Sequence, residues 1–247
     1  EPKPKVAPEG EACLVALLPA EIASQDDVAS LSACVASVAA QEEPAQSLHV
    51  GWHAASDDLA GDTRKALEAL QAAHPTLRIA AVEAGEALPL FSQVGRLMDS
   101  ASGEVPPHAW VVLLSLRELW SPRHVALLLP ALRRAAPDQR VLALRCSRHA
   151  VPKEALRTAA EVDAALSSGA AELRRKRSGP HLGGLAVRLR ILQTFVDATP
   201  AQALAHHLCA FRLDYRLEHT FGKKVQPFEP PDGEWMLCSP LSGASST

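Results

Sequence analysis

The chain has 247 residues and a formal net charge of -3, so charge gives no reason to expect nucleic acid or an anionic membrane as its main partner. Hydrophobic residues make up 47% of the sequence, enough for a sizeable core, yet aromatics are only 4%, which leaves Leu, Val and Ala to fill it by close packing. No apolar run approaches the ~20 residues that span a bilayer, the most apolar stretch being the strand-sized Trp110 to Leu114.

The chain opens on Glu1-Pro2-Lys3-Pro4-Lys5, and residues 1–11 are expected to be an extended linker. Whether they follow a removed targeting segment stays open. The first predicted strand is Cys13 to Leu18, expected to stop at Pro19 because proline cannot donate to a ladder. A helix follows over Asp26 to Ala40, with Val28, Leu31, Val35 and Val38 at helical spacing. The second strand is Ser47 to His53 and its helix runs from about Asp58 to Ala73. The third strand, Leu77 to Val82, precedes a helix around Leu88 to Ser100. The fourth strand, Ala109 to Ser115, is apolar on consecutive residues, as a strand buried on both faces is. Pro122 suits the first turn of a helix reaching about Ala136, and Arg140 to Cys146 is the fifth strand.

Beyond this the pattern changes. Pro152 to Ser168 reads as a helix, and Gly169 to Gly184 as a basic loop carrying Arg174-Arg175-Lys176-Arg177. Leu185 to Val196 and Ala201 to Thr220 read as two further helices, and Pro227, Pro230 and Pro231 announce an irregular tail bearing Trp235. Strands alternating with helices predict an α/β fold, a mostly parallel sheet with helices on both faces, plus C-terminal helices. The expected division is a linker (1–11), an α/β core (12–150), a helical part with the basic loop (151–225) and a tail (226–247).

The five cysteines, Cys13, Cys34, Cys146, Cys209 and Cys238, are odd in number and contain no CxxC pair. The expectation is buried, reduced thiols and a reducing compartment, cytosol or organelle stroma or matrix. No GxGxxG follows the first strand, no GxxxxGK[ST] is present and no GxSxG elbow is present, which disfavours dinucleotide, P-loop and α/β-hydrolase chemistry. The adjacent His206-His207 with Cys209 point different ways on a helix and have no second ligand pair, so no metal is expected there. His181 and His219 stand alone. The basic run at Arg174 to Arg177 lacks interleaved aromatics and reads first as a solvated loop. Trp235-Met236-Leu237 could anchor a partner protein or fold back on the chain.

The segment Trp110-Val-Val-Leu-Leu-Ser115-Leu-Arg-Glu118-Leu-Trp120-Ser-Pro122-Arg123-His-Val125 resembles the metal-site strand of the family 2 glycosyltransferases, which have the GT-A fold. Val15-Ala-Leu-Leu-Pro19 is similar to that family's first strand, followed by a helix with Cys34 and Gln41. His49-Val-Gly-Trp52-His-Ala-Ala-Ser56-Asp57 is similar to its second strand. The resemblance covers roughly residues 12 to 150, and implies a core of the kind that binds nucleotide sugars. It marks Pro19, His53, Asp57, Ser115, Arg117 and Glu118 as nucleotide-site positions.

The same resemblance shows where the chain departs from the pattern. The family holds a divalent cation on an acidic cluster, and hard cations want oxygen ligands. Here the cluster falls on Ser115-Leu116-Arg117-Glu118, where only Glu118 is acidic. Arg117 would repel a cation a few Å away by about 4 kcal/mol per unit charge at an effective dielectric of 20. The base-reading carboxylate of the second strand is matched by His53 and Ala54, although Asp57 and Asp58 are near. Asp197 and Asp214 are available as the catalytic base, but no motif singles out either. The sequence therefore predicts a glycosyltransferase-like pseudoenzyme without metal or cofactor, a structural or interaction subunit meeting other proteins through its termini or basic loop. The alternative is a metal-independent glycosyltransferase using a nucleotide sugar.

Overall fold

The computed structural model describes residues 13–102, 105–106, 109–135, 143–146, 148–174, 185–200, 225–228, 230–231 and 234–240. The calls on Asp214, Arg175 to Arg177, His181, Gly183, Gly184, His206, His207, Cys209, His219 and the helix Ala201 to Thr220 lie outside the described residues.

The elements are β1 (Leu14–Ile22), α1 (Gln25–Ala39), β2 (Ser47–Ala54), α2 (Asp57–Ala73), β3 (Arg78–Glu83), α3 (Leu90–Ser102), β4 (Trp110–Leu113), β5 (Leu119–Trp120), α4 (His124–Ala135), β6 (Ala143–Cys146), β7 (Arg148–Val151), α5 (Ala159–Ser167), β8 (Glu172–Arg174), β9 (Leu185–Arg188), α6 (Leu189–Asp197), β10 (Val225–Phe228) and β11 (Leu237–Pro240). They form a seven-stranded sheet in the order β10-β6-β9-β4-β1-β2-β3 and a four-stranded sheet in the order β5-β11-β7-β8. In the large sheet β9 runs against both its neighbours, and the other strands run one way. The fold is α/β with a mostly parallel central sheet, as expected.

Alternation along β1 divides the core. Leu14, Ala16, Leu18, Ala20 and Ile22 face the side covered by α1, α2 and α4. Val15 and Leu17 face α3 and α6, whose Phe91 and Phe195 meet edge to face at 5.6 Å. Each fully buried Leu or Val contributes roughly 1.5–3 kcal/mol, so both faces of the central strands and the helices packed on them stabilise the fold. On the α3 side the helix lies close over β2: a Cβ added at Gly51 would stand 3.1 Å from the Leu97 side chain.

Five expectations need correction. Gly169 to Gly184 is not all loop, since Glu172–Arg174, which include the first residue of the basic run, form β8 against β7. β1 does not stop at Pro19 but continues to Ile22, with Pro19 opposite Gly51. The Leu17 carbonyl accepts from the Leu114 N–H of β4. Two residues on, Pro19 faces the same side, where β4 has already ended, so its missing N–H leaves no rung broken. Leu185 to Arg188 is not helical but a buried strand between β4 and β6. Pro152 to Ser168 is not one helix: a 3-10 turn at Lys153–Ala155 precedes α5, whose N-cap is Thr158. The tail contributes β10, where Pro227 is tolerated because the strand lies at the sheet edge, and β11.

Trp235-Met236-Leu237 folds back on the chain and is buried there, Trp235 donating its indole N–H to Asp163 at 2.7 Å. Cys13, Cys34, Cys146 and Cys238 are buried free thiols. Burial pushes the Cys13, Cys146 and Cys238 thiols up to about 12. Among the described residues, no helix is long and apolar enough to cross a membrane.

Candidate site at the strand switch point

The chain builds β1, β2 and β3 outward in order, then returns through α3 to lay β4 on the other side of β1. In sheets of this kind the crevice beyond the carboxyl ends of the two strands where the order reverses is the usual ligand site. Two segments meet there: Ala23 to Asp27, leading from β1 into α1, and Ser115 to Glu118, leading from β4 into β5.

The charged groups at the crevice are bonded within the protein. The Arg117 guanidinium donates to Asp27 Oδ1 at 2.7 Å. Asp27 Oδ2 accepts from the Ser24 hydroxyl at 2.8 Å and from the Ala23 N–H at 3.2 Å. Ser24 is the N-cap of α1 but its side chain makes no cap bond; Asp27 in the first turn reaches back instead. Burial alone would raise the Asp27 carboxyl, but the bonds from Arg117, Ser24 and Ala23, with the Arg117 charge, outweigh it and hold it below the usual range. The positive end of α1 thus carries two acidic side chains of its own, Asp26 and Asp27, whose charge opposes an anionic ligand there.

Glu118 is turned inward. Its side chain is 3% exposed, and Oε2 accepts from the Ser115 N–H at 2.9 Å while the Glu118 N–H donates to the Ser115 carbonyl. The carboxylate therefore closes its own turn. Cys34 of α1 donates its thiol to the same Ser115 carbonyl at 3.8 Å.

The turn is also held from behind. Gln41, just past α1, donates to the Ser121 carbonyl at 2.7 Å and accepts from the Val125 N–H at 2.9 Å, tying α1 to the start of α4. The Met236 carbonyl, just before β11, accepts from the Ser121 N–H and from His124 Nδ1–H at 2.8 Å. The His124 ring stacks on Trp120, centroids 4.2 Å apart, and burial pushes its pKa down to about 4 against the pull of the Met236 bond.

The remaining sequence-marked residues divide by face. Pro19 and His53 lie on the α3 side of the sheet, where β1 and β2 set Pro19 beside Gly51 and Glu21 beside His53. His53 is half-buried, and its Nδ1 is enclosed without a partner among the described residues. Asp57 begins α2 behind the N-cap Ser56, exposed. Asp197 ends α6 and accepts from Gln193 of its own helix at 2.8 Å, on the face opposite α1. The structure brings Ser115, Arg117 and Glu118 into one turn and does not join Asp57 or Asp197 to it by any hydrogen bond or ion pair. The sequence gives no sign of a role for Asp27, because its partner is 90 residues away.

The crevice opens into a cleft of about 580 Å³ along α1, lined by Asp26, Arg117 and Glu118 of the two segments, with Ala33 and Leu119 on its floor and Lys153 at its rim. Lys153 pairs with Asp26 at 3.0 Å.

No family model matches the sequence, and no curated protein is similar to it in sequence. Solved structures do match in three dimensions. A mannosyltransferase from Pyrobaculum calidifontis, solved with GDP-Man and Mn2+, is 18% identical over 99% of this chain, with a TM-score of 0.54. TarS from S. aureus is 9% identical over 93% of this chain (TM-score 0.55), and glucosyl-3-phosphoglycerate synthase from Mycobacterium tuberculosis, solved with Mn2+ and UDP, 13% over 89% (0.51). The fold is that of the GT-A glycosyltransferases. The GT-A-like chain spans 37% of the TarS chain and 62% of the mannosyltransferase.

A divalent cation of the kind held in two of those structures needs several outward oxygen ligands. The turn that resembles the metal strand offers Ser115, an aliphatic Leu116, the cation Arg117 and a Glu118 carboxylate already bonded to Ser115. These residues do not fit such an ion. Among the described residues, no group of three or more His, Cys, Asp or Glu side chains stands ready to hold a metal.

Proposed function

We propose that this GT-A-like domain is a non-catalytic structural or interaction subunit of a larger assembly. The observation that carries the reading is the switch-point crevice itself. Its three carboxylates are spent on the protein, Asp26 on Lys153, Asp27 on Arg117 and Glu118 on Ser115. A sugar nucleotide entering there would find Arg117 and Lys153 already paired with Asp27 and Asp26, and no divalent cation to neutralise its diphosphate. The fold supports many roles, and activity follows from the site rather than from the scaffold. The burial of Cys13, Cys34, Cys146 and Cys238 as free thiols supports a reducing compartment.

One feature favours a second reading, metal-independent transfer from a nucleotide sugar. Arg117 is 47% exposed at the mouth of the crevice and a guanidinium can stabilise a leaving diphosphate. Turnover separates the two readings. The purified chain is incubated with a panel of UDP- and GDP-sugars, with Mn2+ and separately with EDTA, and released nucleotide is measured. The subunit reading expects none in either condition. EDTA-insensitive release that Arg117→Ala abolishes would establish the transferase.

A further inference from the structure

The outer edge of β3 presents chemistry that the switch point does not use. β3 is the last strand of the large sheet, and among the described residues nothing pairs with its outer side. The Ala84 N–H donates to the Trp52 carbonyl of β2, so by alternation the backbone groups of Ile79, Ala81 and Glu83 point outward. One rung there is already made, by a side chain. Gln71 of α2 accepts from the Ile79 N–H at 3.1 Å and donates to the Leu77 carbonyl at 3.3 Å, just as the peptide unit of a neighbouring strand would. Beyond Gln71, the Ile79 carbonyl, both groups of Ala81 and the Glu83 N–H have no partner among the described residues.

Next to those open rungs, between α2 and β3, lies a groove of about 300 Å³. Trp52, Leu67 and Ile79 give it an apolar floor; Arg64, Glu68 and Glu83 line its rim. Arg64 is committed, bonding Glu83 through two nitrogens at 2.8 and 2.6 Å and lying over the Trp52 ring. Glu68 has no ion-pair partner among the described residues, so the rim carries one carboxylate in excess.

We propose that the β3 edge binds an extended segment of a partner protein by strand addition, with an aliphatic side chain of that segment in the groove over Trp52 and a basic one at Glu68. The backbone edge commits the occupant to an extended chain, since only a strand satisfies consecutive outward N–H and C=O groups. The apolar floor and the excess carboxylate commit its side chains. This gives the interaction reading a surface, yet it does not depend on whether the switch point is catalytic, and its test uses no sugar nucleotide.

The probe is a fluorescein-labelled hexapeptide of alternating Lys and Val, titrated with the full chain and followed by anisotropy; alternating Glu and Val is the control. The Lys peptide is expected to bind and the Glu peptide to bind at least about tenfold more weakly, a difference of about 1.4 kcal/mol. Ala81→Pro removes an outward N–H without touching the β2 ladder and should weaken binding by about tenfold or more. Glu68→Lys, on the exposed face of α2, should do the same without altering the edge. The proposal is overturned if neither peptide binds at millimolar concentration, or if binding survives both substitutions in folded protein. Sedimentation of the free chain supplies the last outcome: a dimer that Ala81→Pro dissociates would assign the edge to a second copy and overturn the partner assignment.

Discussion

The turn after β4 and the outer edge of β3 both lie where a doubly wound sheet offers unused chemistry, and the chain treats them in opposite ways. At the switch point every charged group is turned to a neighbour: Arg117 to Asp27, Glu118 to the Ser115 N–H. At the edge, a single glutamine covers the first rung, and among the described residues nothing covers the next ones. The difference shows how the charges at a crevice can be spent within the protein while the fold around it is kept. Spending them needs only side chains that bond to each other, because the backbone of β1 and β4 already fixes both segments.

The sharpest way to break the comparison is one substitution placed at two sites. Ala16 is fully buried in the middle of β1 with strands on both sides. Ala16→Pro should cost on the order of 3 kcal/mol or more and abolish folding, whereas Ala81→Pro at the open edge should cost about 1 kcal/mol or less. Urea unfolding of both variants tests this; equal losses would mean that the β3 edge is paired after all.

Next in size is the acid response of the support behind the switch-point turn. His124 has its pKa lowered from 6.5 to about 4 by burial, so the unfolded chain takes up a proton more readily than the folded one. Its contribution is therefore intact above pH 6.5 and is lost as pH falls toward 4, about 3 kcal/mol at 1.36 kcal/mol per unit. Asp27, with its lowered pKa, adds a further loss in stronger acid, as its carboxylate protonates. Melting temperatures from pH 7.5 downward, compared with His124→Phe, should show a smaller decline in the variant between about pH 6 and 4.

How much of this was legible in the sequence depends on whether a residue's partner is near in the chain. The apolar runs at Leu14 to Leu18 and Trp110 to Leu113 announce buried strands, and the periodicity of Val28, Leu31, Val35 and Val38 announces α1. Leu185 to Arg188 was misread because a short strand buried on both faces does not alternate, and Leu185, Leu189, Leu192 and Val196 recur at helical spacing into α6. Pro19 reads as a strand end and Pro227 as the mark of an irregular tail, yet Pro19 sits where β4 has ended and Pro227 lies on an edge strand. At the site, the loss of an acidic cluster could be read from Ser115 to Glu118. That Arg117 is held by Asp27, and Glu118 by its own turn, could not, because the first pairing is tertiary and the second depends on a rotamer.

Two smaller effects sharpen the contrast. Arg117→Ala leaves the Asp27 carboxylate, whose side chain is 7% exposed, without its guanidinium and should cost about 1–2 kcal/mol, the half-exposed arginine itself limiting the loss. Arg117→Lys should recover only part of it, since a point charge does not reproduce the planar donor. Gln71→Ala removes two bonds at the partly exposed edge and should cost about 1 kcal/mol. It should also lengthen the open edge and raise the affinity for an added strand, measurable in the same anisotropy titration.

Calorimetry tests the central claim most directly: the full chain is titrated with UDP- and GDP-sugars in the presence of Mn2+. A crevice whose Asp27, Arg117 and Glu118 are bonded within the protein predicts no heat of binding with either nucleotide. Saturable, micromolar binding that vanishes when Mn2+ is withdrawn would contradict it, and would mean that the turn after β4 opens to take a metal and a diphosphate.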